Sequence, residues 1–245
     1  AVIFNLTSNP DVQFSLRYLL PRKDIIRKVL AVGVPSVIMM AIGSVMNFCM
    51  NQIFLGFADI GETASGVFGV YFKLQSFFFM PLFGINNATI SIIAFNYGAR
   101  KPERITGTIR LAITWSLCIM VVAIALFQIF PAQLLGFFQA SGDMLAIGVP
   151  ALRIIALHFI LAGFCIPVIS VCQAIGNPIY SLISSVCRQI VVLLPAAYLL
   201  AQTGNLNLVW LAFPIAEIMS LIMATIFLRK TMRRANRIMA GDSPM

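Results

Sequence analysis

Residues 71–100 read YFKLQSFFFM PLFGINNATI SIIAFNYGAR. Lys73 carries the one charge before Arg100, and everything between them is apolar, aromatic, small, hydroxyl or amide. Rising ~1.5 Å per residue, an apolar helix over about 64–95 is longer than the ~30 Å hydrocarbon core of a bilayer. Such a helix must tilt, kink or project beyond the membrane, and Pro81 near its middle supplies a kink.

Outward from this stretch the chain keeps the same character. It has 245 residues, 60% hydrophobic and 10% charged, with a mean hydropathy of +0.95. A soluble domain is ~45–50% apolar and ~25% charged, so a soluble protein is excluded. Apolar runs fall at about 29–57, 64–95, 109–130, 147–173, 180–201 and 208–228. They define an all-α membrane protein with six transmembrane helices. Residues 1–28 form a connecting segment in which Ile25, Ile26, Val29 and Leu30 share one face. That pattern fits a short helix on the membrane surface or the first turns of the next span. Residues 229–245 form a basic tail.

The net charge is +9, from 17 basic and 8 acidic residues. All the basic residues except Lys73, Arg153 and Arg188 sit in three clusters, Arg17 to Lys28, Arg100 to Arg110 and Arg229 to Arg237. The alternate loops around Asp59, Ala140 and Asn205 carry none. This is the positive-inside pattern of a multi-pass protein of the plasma (inner) membrane, with both ends of the chain cytoplasmic. It accounts for the charge without nucleic acid, whose recognition needs a basic face on a folded surface.

Enzyme chemistry has little to work with. The five cysteines, Cys49, Cys118, Cys165, Cys172 and Cys187, lie within apolar runs and form no C-x-x-C pair, so neither disulfides nor zinc are expected. His158 has no partner histidine, and Glu217 is the one carboxylate near the membrane middle. There is no H-E-x-x-H and no phosphate-binding glycine loop. We therefore expect no enzyme, no cofactor and no bound metal.

Polar residues inside spans are costly and mark function or packing. Ser36, Met40, Ser44, Asn47 and Asn51 recur at helical spacing in the first span. Lys73, Ser76, Met80, Gly84, Asn87 and Ser91 do so in the second. Such stripes line a water-filled cavity or pack as small polar seams. The asparagines and Lys73 favour a cavity, which makes Asn47, Asn51, Lys73, Met80, Asn87 and His158 the candidates for a substrate cleft. Arg188 lies ~12 Å in from one side and Glu217 ~14 Å in from the other, so their depths nearly coincide. On consecutive antiparallel spans they form a candidate intramembrane charge pair. An unpaired Glu217 would instead be a candidate proton carrier.

These residues also resemble a family. Phe72-Lys73-Leu74-Gln75-Ser76-Phe77, Met80 through Ile85, and Phe95-Asn96-Tyr97-Gly98-Ala99-Arg100 with Arg104 are similar to the eighth span and following loop of the multidrug and toxic compound extrusion (MATE) transporters, bacterial branch. Gly33-Val34-Pro35-Ser36 resembles the entrance of their seventh span. Gln173 through Asn177, Arg188-Gln189, Pro195, and Trp210 with Pro214 through Glu217 resemble their tenth to twelfth spans.

The resemblance implies one lobe of a two-lobe, twelve-helix secondary antiporter, with the N-terminal six-helix lobe absent from this chain. It implies export of amphipathic, often cationic, drugs or toxic organic compounds in exchange for Na+ or H+. Members of the family often hold the coupling cation on a carboxylate in the first or fourth span of this lobe. Here those spans offer Asn47 and Asn51, and Arg153 and His158, so the coupling-ion site is expected in the missing lobe. Two alternatives stand beside this reading: a flippase for lipid-linked oligosaccharides, which needs a cationic cleft, and a membrane-embedded lipid-modifying enzyme.

Overall fold

A computed structural model of the chain describes residues 21–140 and 142–240. Residues 1–20 of the expected connection and 241–245 of the tail lie outside the described residues. Helix α1 spans Lys23–Leu55, with Asp24 in its first turn, where a carboxylate complements the helix dipole. The charged stretch enters the first span without a break. The described part of the connection is therefore continuous with the helix of that span.

Helix α2 spans Gly61–Gly98 and runs through Pro81. The turn after it puts Arg100 at φ 53°. Helix α3, Pro102–Ile129, then starts with proline in its first turn, where a missing N–H costs nothing. A short helix α4, Pro131–Gly136, caps the far end.

The fourth span is two helices, α5 (Gly142–Ala156) and α6 (His158–Ala174), bent by 43°. The bend falls at Leu157, between Pro150 and Pro167. There Leu157 N–H reaches only three residues back, to Ile154 O, and the His158 ring takes the Ile155 carbonyl. A side chain in the ladder is a recognised cause of a helix break.

The fifth span is also composite. Helix α7 (Pro178–Val186) follows Gly176, whose φ of +87° suits glycine and makes the tight turn. A π-helical segment, Cys187–Leu193, links α7 to α8 (Leu194–Ala201). Pro195 lies in the first turn of α8 and has no N–H to give to Val191 O, so the hydrogen-bond ladder shifts just ahead of it. After the Gln202–Asn205 turn come α9 (Leu206–Trp210) and α10 (Ala212–Ala240).

Among the described residues, five helical stretches are long and apolar enough to cross a membrane, with α7 to α8 and α9 to α10 each counted once, or six when α5 and α6 count as one span. Within this all-helical lobe, exposed Leu111, Trp115, Val121 and Val122 give α3 an apolar outer face, as contact with lipid requires. The packed centre is aromatic at the α4 end. Phe54 lies 4.4 Å from Trp210 and 5.1 Å from Phe68 by ring centroids. Deeper in, Phe127 meets Phe159 at 5.0 Å. Small residues let backbones approach, as Gly163 of α6 does against Met120 and Ser116 of α3, a common device where lipid gives no hydrophobic drive.

At the opposite end Ile93, Ile105 and Val171 form a second cluster with Met232 and Met239 against it. The described part of the expected basic tail, up to Ala240, is helical. It continues α10, with Thr231 and Ala235 buried and the arginines on the remaining faces.

Candidate functional site

Helices α1, α2 and α6 and the π segment enclose an open cavity of about 940 Å³. Its walls are largely apolar, with Phe72, Phe79, Met80 and Phe83 on α2 and Met40 and Met46 on α1. A few polar side chains point into it: Asn47, Asn51, Gln75, His158, Arg188 and Gln189. Apolar walls with sparse polar groups are the usual make-up of a small-molecule site.

The amides on α1 are held in place. Asn51 Nδ2 donates to both Asn47 O and Asn47 Oδ1 at 2.9 Å. Ser65 Oγ of α2 donates to Asn51 Oδ1 at 2.6 Å. This bridge fixes α1 against α2 at the rim of the cavity.

Behind the cavity lies a recess of about 90 Å³ lined by Tyr71, His158, Arg188, Phe213 and Glu217 among others. Arg188 Nη1 donates to Glu217 Oε2 at 3.2 Å. The arginine side chain is 30% exposed and the glutamate 4%. Arg188 thus faces the cavity and Glu217 backs it from the recess. Glu217 Oε1 and Tyr71 Oη are buried and have no hydrogen-bond partner among the described residues. His158 Nδ1 sits 2.6 Å from Ile155 O. A carbonyl only accepts, so Nδ1 carries the hydrogen and a neutral ring presents Nε2 as an acceptor.

The expected cleft set divides. Asn47, Asn51, Met80 and His158 line the cavity, and Arg188 lines it too. Lys73 does not: its ammonium lies 5.7 Å from the centre of the Phe138 ring, a cation–π contact beyond α4 that draws it off the cavity face. Asn87 does not either. The α2 wall ends near Phe83, and Asn87 is exposed, its carbonyl accepting from Ser91 Oγ at 3.2 Å. Asn86, one position earlier, turns inward and accepts from Ser170 Oγ of α6. Arg153 is exposed.

Sequence reasoning missed Gln75, Gln189 and Tyr71. Gln75 sits one residue from Ser76 on the α2 stripe, and Gln189 follows Arg188. Glutamine carries the same amide as asparagine, and weighing it equally finds both. No group of three or more metal-ligating side chains occurs among the described residues.

The MatE family model matches residues 35–199. The multidrug export protein MepA of Staphylococcus saprophyticus is 23% identical over 209 residues, covering 85% of this chain and 46% of that one. The probable multidrug resistance protein YoeA of Bacillus subtilis is 26% identical over 210 residues, covering 84% and 44%. A solved structure described as the outward-facing conformation of a multidrug resistance MATE family transporter superposes with a TM-score of 0.85. It is 23% identical and covers 96% of this chain and 53% of the other. The chain spans about half the length of the curated relatives it matches.

Proposed function

This chain belongs to the MatE family, and on that footing we propose that it is one six-helix lobe of a two-lobe, twelve-helix secondary antiporter that exports amphipathic organic compounds. The family consists of transporters rather than enzymes, which removes the lipid-modifying alternative. The observation that carries the proposal is the open 940 Å³ cavity, walled by phenylalanine and methionine and set with a few fixed polar groups. Its mouth is flanked by strongly exposed apolar residues such as Met40, Phe48, Phe77 and Met80. A second lobe packed over that face covers them and closes the cavity into a cleft, in keeping with the half-length match to relatives.

The coupling ion is Na+ or H+, and its main site is in the other lobe. Supporting this, the one intramembrane carboxylate described here, Glu217, is already tied to Arg188. The membrane is the plasma (inner) membrane, with the Arg100–Arg110 basic cluster and the end of α10 on the cytoplasmic side. A flippase of related architecture is less well supported, because Lys73 and Arg153 do not line the cavity and Arg188 is left as its one permanent cation.

The test is an efflux assay of the complete gene in cells stripped of their own exporters. Dye retention should fall on expression and rise again when the coupling-ion gradients are collapsed. Equal retention with and without the gene sinks the proposal.

A further inference from the structure

The wall that this lobe gives to the cavity is lopsided in charge. Among the described residues, no carboxylate lines it, and its one permanently charged group is the Arg188 guanidinium. Glu217 lines only the recess behind, 4% exposed against 30% for Arg188. A cation entering the cavity meets the guanidinium first, with the compensating carboxylate turned away. An anion meets donors.

Those donors are available. Arg188 and Glu217 share a single hydrogen bond, from Nη1 to Oε2. A guanidinium has five N–H donors in a rigid fork, and no other hydrogen bond from the Arg188 side chain occurs among the described residues. Arg188 and Gln189, consecutive in the π segment, both line the cavity. Gln75 of α2 faces them with a further amide. Phe72, Phe79 and Phe83 line the cavity alongside. Together they make an anion-accepting head next to an aromatic slot.

We propose that Arg188 determines specificity in this cavity and selects amphipathic organic anions, flat aromatic bodies bearing a carboxylate or sulfonate, over cations of the same shape. The proposal rests on the export reading above and narrows its substrate class. It departs from the often cationic substrates that the family resemblance implied. The substrate's anionic oxygens accept from the free guanidinium N–H groups, a geometry that arginine serves better than lysine. Glu217 is a positioning residue, holding the guanidinium in place from behind.

The experiment uses the complete gene product, in exporter-deficient cells and purified in detergent. The probes are fluorescein, an anion, and rhodamine 123, a cation on the same xanthene ring, with ethidium as a second cation. Fluorescein should be exported and should bind more tightly than rhodamine 123. Arg188→Gln should weaken fluorescein binding about tenfold or more, the usual scale for a lost charge-assisted hydrogen bond, without weakening rhodamine 123. Arg188→Lys should recover part of it.

Because Arg188→Gln alone strands Glu217, the double variant Arg188→Gln/Glu217→Gln keeps the test valid if the single one misfolds. The double variant should fold and still lose the preference for fluorescein. Export of either cation without fluorescein overturns the proposal and leaves the export reading standing. Equal handling of fluorescein and rhodamine 123 by the wild type overturns it as well, as does an undiminished fluorescein preference in the double variant. Retention of all three dyes overturns the export reading, and the proposal with it.

Discussion

Arg188 and Glu217, on consecutive spans, meet inside the lobe through one 3.2 Å hydrogen bond between a half-buried guanidinium and a buried carboxylate. Removing one partner of a buried pair costs about 3–5 kcal/mol because the other charge is stranded. Here the arginine's partial exposure lowers that to about 2–4 kcal/mol. Arg188→Ala should therefore lower the melting temperature and the monodisperse yield in detergent. Adding Glu217→Gln should restore most of both. An Arg188→Ala protein that melts with the wild type refutes the structural role of the pair. Normal folding of Glu217→Gln with loss of pH-driven export makes Glu217 a proton carrier instead.

Gly163 gives a test of packing. A Cβ there would sit 2.9 Å from Met120 Cγ and 3.3 Å from the Ser116 carbonyl, and backbone cannot yield as a side chain can. Gly163→Val should destabilise by about 1–3 kcal/mol through overpacking between α3 and α6. Gly107 is an internal control on α3, where an added Cβ would meet nothing within 4 Å. Gly107→Ala should be neutral or stabilising by about 0.5–1 kcal/mol. Thermal unfolding of the three proteins side by side decides the matter.

Lys73 and Gln75 stand two residues apart on α2 and differ in what they face. With its ammonium over Phe138, Lys73 should tolerate replacement by glutamine with export near wild type. Gln75→Leu and Gln189→Leu each remove a cavity amide. Each should weaken substrate binding by about threefold to tenfold, the range for a neutral hydrogen bond. Transport that fails with Lys73→Gln and survives Gln75→Leu reverses this assignment.

Topology has its own measurement. In a background with the native cysteines replaced, Lys101→Cys and Arg234→Cys should react with a membrane-impermeant thiol reagent only from the cytoplasmic side. Asp143→Cys should react only from outside. The two basic positions flank one packed end, where Ile105 and Met232 belong to the same cluster. Labelling of Lys101→Cys and Asp143→Cys from the same face rules out the proposed orientation.

The spans were legible because lipid demands long uninterrupted apolar runs, and basic clusters mark alternate ends. The charge pair was legible too, since depth follows from counting residues along straight helices. What the pattern does not carry is how far along a helix the cavity runs, or where a long side chain reaches. Lys73 and Asn87 share a helical stripe with Met80, yet only Met80 lines the cavity. A long side chain follows its best partner, and Asn86 takes the inward position in place of Asn87. The bend at Leu157 was also hidden, because Pro150 and Pro167 both advertise a break and the His158 ring decides where it falls.

The Gln202–Asn205 turn ties the biogenesis of the last two spans together. Emerging alone, the fifth span would present Arg188 to the insertion machinery without its partner. A lone arginine at a helix centre disfavours membrane entry by ~2.5–3.5 kcal/mol. The short turn delivers Glu217 on the next segment, soon after. Entering as one helical hairpin, the two spans would carry charges that are already matched. Lengthening that turn should slow or misdirect insertion at the ribosome even where the finished lobe is unaltered.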